Sequence, residues 1–179
     1  NAYGQRVSKS YCKTPGTSGL NQFYSGEITS YTKTYNYDNS GRLIREVTTN
    51  TYYQEGTGTE EIVYIYDVNT IIGMKYTNGY NSNIYYFDRN VLGDVDAIYD
   101  LYGNLKVKYL YDAYGNCTIS SETTDQVLAR VNPIRYRGYY YDEETGLFYC
   151  NSRYYNPEWG RWISPDDIEY LDPESINGL

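Results

Sequence analysis

The dipeptide Tyr-Asp recurs along this chain with a glycine a few residues behind it, and that recurrence limits the fold more than any other feature. It occurs as Tyr35-Asn36-Tyr37-Asp38-Asn39-Ser40-Gly41, as Tyr99-Asp100-Leu101-Tyr102-Gly103 and as Tyr109-Leu110-Tyr111-Asp112-Ala113-Tyr114-Gly115. It returns as Tyr139-Tyr140-Tyr141-Asp142-Glu143-Glu144-Thr145-Gly146, with looser copies at Tyr66-Asp67 and Phe87-Asp88. In Tyr-x-Tyr-Asp the two tyrosines stand two residues apart and share one face of a strand. Asp then opens a turn, its carboxylate accepting nearby backbone N–H groups, and Gly supplies the positive φ that a short hairpin loop needs. Asp38 to Gly41, Asp100 to Gly103 and Asp112 to Gly115 keep one spacing, while Asp142 to Gly146 is one residue longer and Asp88 to Gly93 two. Each unit reads as strand, turn, strand. The Thr-, Tyr- and Ile-rich stretches 27–37, 42–53, 60–66 and 105–111 supply the strands, and Gly56-Thr57-Gly58 marks a further turn or loop. Helix is scarce; Asp125 to Val131 reads as one short turn. The fold class is all-β, an array of antiparallel β-hairpins.

The side chains offered to such a sheet are mostly phenols, with 27 Tyr against 3 Phe. A buried Tyr removes much apolar area from water, but its hydroxyl still requires a partner. The expectation is therefore a thin, half-wet layer held by cross-strand aromatic pairs, each contributing about 0.2–1 kcal/mol. An open hairpin array also leaves sheet edges, through which copies of the chain are expected to self-associate.

Charge and composition exclude several functions. The formal net charge of −8 and the sequence pI near 4.5 repel phosphate backbones, so nucleic acid is not an expected partner. No stretch approaches the ~20 apolar residues of a membrane span. Histidine is absent, which removes Ser-His-Asp and Cys-His catalysis and the commonest zinc ligand. Cys12, Cys117 and Cys150 have no metal-ligand spacing and read as small apolar side chains. No metal and no cofactor is expected. Asn1 lies inside a patterned segment and Ser175-Ile176-Asn177-Gly178-Leu179 stops without a tail, so the chain reads as a piece of a longer protein.

After the polar stretch Ser120-Ser121-Glu122-Thr123-Thr124-Asp125 the character changes. Asn132-Pro133-Ile134-Arg135-Tyr136-Arg137-Gly138-Tyr139-Tyr140-Tyr141-Asp142 leads into Thr145-Gly146-Leu147-Phe148-Tyr149. Ser152-Arg153-Tyr154-Tyr155-Asn156-Pro157-Glu158-Trp159-Gly160-Arg161-Trp162-Ile163-Ser164-Pro165-Asp166 follows. This segment closely resembles the Rhs-repeat-associated core domain, whose pattern runs P-x-R-Y-x-G-Y-Y-x-D, then T-G-L-Y-Y, then R-Y-Y-x-P-x-x-G-R-F. Trp162 stands for the usual Phe and Phe148 for a usual Tyr. The core-motif residues are Pro133, Arg135, Tyr136, Gly138, Tyr139, Tyr140, Arg153, Tyr154, Tyr155, Pro157, Gly160, Arg161 and Trp162. The upstream units resemble YD repeats, and Asn1 to Lys9 resembles the tail of one more. On this reading residues 1–119 are the hairpin array, 120–131 a polar connection, and 132–179 a core segment truncated at its C-terminal end.

The resemblance implies a sheet wound into a shell around a C-terminal toxic segment that is not in this chain. It also implies a secreted or cell-wall-associated bacterial protein whose partners are the rest of its own shell and the enclosed segment. Many members of the family are intramolecular aspartyl proteases, with one Asp in a D-P-x-G sequence after the G-R-F motif and a second some 20 residues on. Asp166 matches the first position, but Asp167 follows it in place of Pro, and the second Asp would fall beyond Leu179. An aspartyl mechanism needs two carboxylates sharing a proton; Ser164-Pro165-Asp166-Asp167 reads better as a helix start. Arg135, Arg137, Arg153 and Arg161 read as ion-pair partners of Asp142, Glu143, Glu144 or Asp166, and Trp159 and Trp162 as packing anchors. The expectation is a structural piece without turnover. Two alternatives stand beside it: a repeat module that binds cell-wall glycan through its tyrosines, and an incomplete autoprotease core.

Overall fold

The computed structural model of the chain describes residues 5–13, 27–52, 54–151 and 153–164. The chain forms two compact units, Asn1–Asp88 with Ile98–Leu105 and Arg89–Ala97 with Lys106–Leu179.

The first unit is an antiparallel meander: β1 (Ser8–Cys12), β2 (Ile28–Tyr37), β3 (Leu43–Tyr52), β4 (Gly56–Asp67), β5 (Thr70–Asn78) and β6 (Asn81–Arg89) lie side by side in chain order. Each strand hydrogen-bonds the one before it, as sequence-adjacent hairpins do. Register places Tyr35, Glu46, Ile62 and Tyr76 opposite one another across β2 to β5, and all four are buried. A second row runs Tyr64, Met74 and Tyr85, also buried. Because side chains alternate along a strand, one register fixes which residues share this face. The face is not phenol alone: Met74 is wholly enclosed, and Glu46, 1% exposed, is neutralised by Lys33 Nζ at 3.2 Å. Tyrosine pairs stack directly across strands, as with Tyr11 and Tyr31, which are register partners with ring centroids 5.5 Å apart.

β7 (Val95–Asp100) and β8 (Leu105–Tyr111) each have residues in both units. Within the second unit β8 pairs with β9 (Cys117–Ile119). Helix α1 (Gln126–Val131) follows; Asp125 caps it by accepting the Leu128 N–H, and Leu128 and Ala129 are its buried residues. A single 3-10 turn, Tyr136–Gly138, leads into a four-stranded antiparallel sheet of β10 (Tyr140–Asp142), β11 (Leu147–Cys150), β12 (Arg153–Asn156) and β13 (Arg161–Trp162). Among the described residues the fold is all-β apart from these two short helical elements. Among the described residues no helix is long and apolar enough to cross a membrane.

Candidate functional site

Four hairpin turns are copies of one hydrogen-bond pattern. Asp38 Oδ1 accepts the N–H of Ser40 and of Arg42, both at 2.9 Å, while its carbonyl accepts the Gly41 N–H. Asp100 Oδ1 accepts from Tyr102 and Asn104 in the same way, and Asp112 Oδ1 from Tyr114 and Asn116. In every copy the glycine has positive φ and donates to the carbonyl of the turn-opening residue. The residue just after the glycine closes the turn through its side chain. Arg42 Nε donates to Asp38 Oδ2 at 2.7 Å, Asn104 Nδ2 to Asp100 Oδ2 at 2.9 Å and Asn116 Nδ2 to Asp112 Oδ2 at 2.7 Å. These bonds favour the ionised carboxylate: Arg42 holds Asp38 below its ordinary value, and Asn116 does so for Asp112.

The fourth copy corrects the reading of Asp88. Asp88 lies inside β6, and the turn is opened two residues later by Asn90, whose Oδ1 accepts from Leu92 and Asp94. An amide oxygen serves there as well as a carboxylate, which restores the ordinary spacing to Gly93. Asp67 ends β4, opposite Thr70, in a connection that has Val68 at φ 51° where the four repeated turns have glycine. Asp142 is buried and opens a wider turn, its carbonyl accepting the N–H of both Thr145 and Gly146. The closing residues Arg42, Asp94, Asn104 and Asn116 were not singled out in the sequence, although each directly follows its glycine and can bond the turn opener.

The core motif is seated on two of these turns. Tyr136 donates its hydroxyl to the Ala113 carbonyl at 3.1 Å, and Tyr155 donates to the Tyr114 carbonyl at 2.8 Å. Asn116 Nδ2 reaches the Pro157 carbonyl at 3.3 Å. The Tyr136 ring lies against Gly115 so closely that a Cβ there would sit 2.6 Å from it. On the other turn, the Arg137 N–H donates to Asp94 Oδ1 at 2.7 Å and Arg89 Nη1 donates to the Gly93 carbonyl at 2.7 Å. Tyr136 also continues an aromatic chain, touching Tyr111, Phe148 and Tyr155; Tyr155 and Tyr139 in turn meet Trp162 edge-on. Arg153 stacks its guanidinium 4.1 Å over the Trp162 ring, and Tyr154 packs against Tyr149, its register partner.

Arg135, 4% exposed, closes the end of α1. Its Nη2 donates to the carbonyls of Ala129 and Arg130 and to Glu143 Oε2, and its Nε to the Asn132 carbonyl. The guanidinium lies between the rings of Tyr141, at 4.4 Å, and Tyr109, at 5.4 Å. Cationic side chains belong at a helix C-terminus, where carbonyls lack partners. Tyr109 donates its hydroxyl to the Ala129 carbonyl at 2.6 Å; burial pushes its pKa up to about 12. The polar atoms of Pro133 and Tyr140 extend the same framework: the Pro133 carbonyl accepts the Tyr141 N–H, and Tyr140 bridges to Ile134. Arg161 pairs with Asn156 between β12 and β13; Gly160 lies where a Cβ would meet the Tyr114 ring.

All three cysteines are free thiols, and burial raises the pKa of Cys117 and that of Cys150 to about 12, which suppresses thiolate chemistry. Among the described residues no group of three or more Cys, Asp or Glu is placed to hold a metal ion. Asp166 lies outside the described residues, as do Pro165 and Asp167.

Hairpins whose turns repeat one bonding pattern, followed by an Arg- and Tyr-rich segment seated on two of them, define an Rhs/YD-repeat protein. The family described as Teneurin YD-shell matches residues 48–177, and the chain belongs to it. Over 156 residues it is 36% identical to the tRNA3(Ser)-specific nuclease WapA of Bacillus spizizenii, covering 80% of this chain and 6% of that protein. Over 92 residues it is 32% identical to the double-stranded DNA deaminase toxin A of Burkholderia cenocepacia, covering 49% of this chain and 6% of the toxin. The chain thus spans about 6% of the length of these relatives. Its fold is shared with the crystal structure of TcdB2-TccC3-TEV, at TM-score 0.60 and 20% identity, over 91% of this chain and 9% of the other. A Photorhabdus luminescens Tc holotoxin pore is alike at TM-score 0.55 and 20% identity, over 92% and 9% of the two chains.

Proposed function

We infer that this chain is a length of wall, together with part of the closing core, from the β-shell of a bacterial Rhs/YD-repeat toxin-delivery protein. The shell surrounds a C-terminal toxic segment that lies outside the chain. Residues 1–119 are the hairpin array, 120–131 its connection and 132–179 the core segment. The observation that carries this reading is the occupation of the core motif: Tyr136, Arg137, Tyr155 and Pro157 commit their polar atoms to hairpin turns. Two phenol hydroxyls and two backbone groups spent on scaffold contacts support an architectural role, so no turnover is assigned to them.

The relatives add a second support. The WapA protein is named a tRNA nuclease and the Burkholderia protein a DNA deaminase, yet both match this one segment. A common carrier with exchangeable cargo accounts for different activities over a shared stretch. The protein is accordingly secreted or displayed at the cell surface, and the chain's partners are the remaining shell and the enclosed segment. Self-cleavage by Asp166 belongs to a longer chain that supplies a second Asp.

Limited proteolysis of the parent protein, extended through its natural C-terminus, tests the reading. The downstream segment should resist protease until the shell is denatured. Digestion as fast as that of the same segment expressed alone would overturn it.

A further inference from the structure

The turns around Asp100 and Asp112 place the acid before the glycine and the amide after it. Between Asn90 and Asp94 the order is exchanged: Asn90 Nδ2 donates to Asp94 Oδ2 at 2.7 Å. The turn itself gains nothing from the exchange, since the N–H groups of Leu92, Gly93 and Asp94 are accepted as in the other copies. What changes is the group presented to the rest of the second unit. A carboxylate, 3% exposed, now stands after the glycine with one oxygen left over.

We propose that Asp94 is the positioning residue that fixes where the core segment docks, by accepting the backbone N–H of Arg137. The bond is 2.7 Å long. Arg137 adopts φ 54° and ψ 17°, a left-handed conformation that non-glycine residues disfavour, and it is held there with its N–H on the carboxylate. Its guanidinium follows to the same turn, with Nε 3.9 Å from Asp94 Oδ1 and Nη1 donating to the Leu92 carbonyl. By contrast, the turn at Asp112 is gripped through neutral groups alone, the carbonyls of Ala113 and Tyr114 and the amide of Asn116. Two turns therefore ask for different partners: a hydroxyl donor at one, a backbone donor to a charge at the other. Tyr136 answers the first and Arg137 the second, so withdrawing the segment from its seat would take the Arg137 N–H away from a buried carboxylate. Charge-assisted bonds are strong, and an unpaired buried charge is costly; correct seating is favoured and unseating opposed by one side chain. The assignment holds whether or not a cargo is carried.

Residue-resolved hydrogen exchange on the 179-residue chain tests this, comparing D94A with N104A. Both remove the side chain that closes a turn, but only Asp94 touches the core segment. D94A should accelerate exchange of the Arg137 N–H by about tenfold or more, with β3 and β4 unchanged, while N104A leaves that amide within about twofold of wild type. R137G keeps the N–H and relieves the left-handed strain, so its amide should remain protected. The swap N90D/D94N preserves the turn's internal bond and removes only the charge after the glycine, guarding against a D94A chain that fails to fold; it should exchange faster than wild type. Arg137 protection that is unaltered in D94A or in the swap would overturn the proposal, as would R137G losing as much protection as D94A.

Discussion

Tyr111 donates its phenol to the Val95 carbonyl at 2.8 Å. Tyr37 does the same to Arg6 at 2.9 Å, and Tyr66 to Leu43 at 2.8 Å. Each donor is the residue just before Asp112, Asp38 or Asp67, and each acceptor is the first residue of the preceding strand or, for Arg6, two residues before it. In these three copies the position needs Tyr rather than Phe, because its hydroxyl ties the end of one strand to the start of its neighbour. The apolar ring covers the sheet, and the polar tip satisfies a carbonyl left over where pairing begins.

Replacing any one of these three by Phe should lower stability by about 0.5–1.5 kcal/mol, the net value of one such bond. Tyr109→Phe should cost more, about 1–3 kcal/mol, because its hydroxyl is buried and carries two bonds, donating to the Ala129 carbonyl, which then keeps Arg135 alone, and accepting from Asn132. Urea unfolding midpoints at unchanged slope check the ranking. Equal stability of Tyr37→Phe and wild type would remove the hydroxyl from the logic of the repeat.

Two glycines with similar backbone angles separate conformational strain from contact. Gly103 has φ 79° and open space where a Cβ would stand, whereas Gly115 has φ 93° and the Tyr136 ring at 2.6 Å from that point. Gly103→Ala should cost about 1–2 kcal/mol, the left-handed penalty alone. Gly115→Ala should add a further ~1–3 kcal/mol of overpacking and disturb the Tyr136 stack. Thermal unfolding of both variants, with near-ultraviolet circular dichroism to follow the aromatic chain, measures the difference. A Gly115→Ala cost no larger than that of Gly103→Ala would mean the ring yields freely.

Asp112 is held below its ordinary pKa, first by the Asn116 side-chain bond and then by the backbone N–H groups of its turn. A depressed folded-state value means the unfolded chain binds the proton more readily. The stabilisation is therefore complete above the unfolded value of about 3.9 and is lost as pH falls through the folded one. Carboxyl chemical shifts followed against pH should place Asp112 below ordinary aspartates, and Asn116→Ala should move it up. A midpoint unaffected by that substitution would refute the assigned cause.

The sequence made the turns readable because Asp, a three-residue spacing and Gly are each tied to a backbone requirement. Asp88 misled because an Asp two residues early resembles the repeat, while the functional opener, Asn90, supplies the same acceptor under another name. The core motif was legible as a pattern, but its placement was not: that Tyr136 meets Ala113 and Arg137 meets Asp94 depends on tertiary seating that no local spacing encodes. Glu46 was equally hidden, since a carboxylate in an alternating strand gives no sign of facing inward beside Lys33 until register is known.

Alkaline pH should unfold the chain by a route its composition makes unusually strong. Burial, before any other cause, raises Tyr109 to about 12 and drives Tyr64, Tyr76 and Tyr111 upward as well. With folded values above the unfolded value of about 10, the folded chain keeps protons that the unfolded chain releases. Their stabilising contribution is whole below about pH 10 and drains away as pH rises towards the folded values. Tyrosinate absorbance should therefore rise in two stages, a gradual one from solvated rings and a later, steep one coinciding with the loss of near-ultraviolet ellipticity. Tyr109→Phe should shrink the second stage by one tyrosine. A single smooth titration of all 27 tyrosines near pH ~10, with ellipticity intact, would show that the phenols are not shielded as their burial requires.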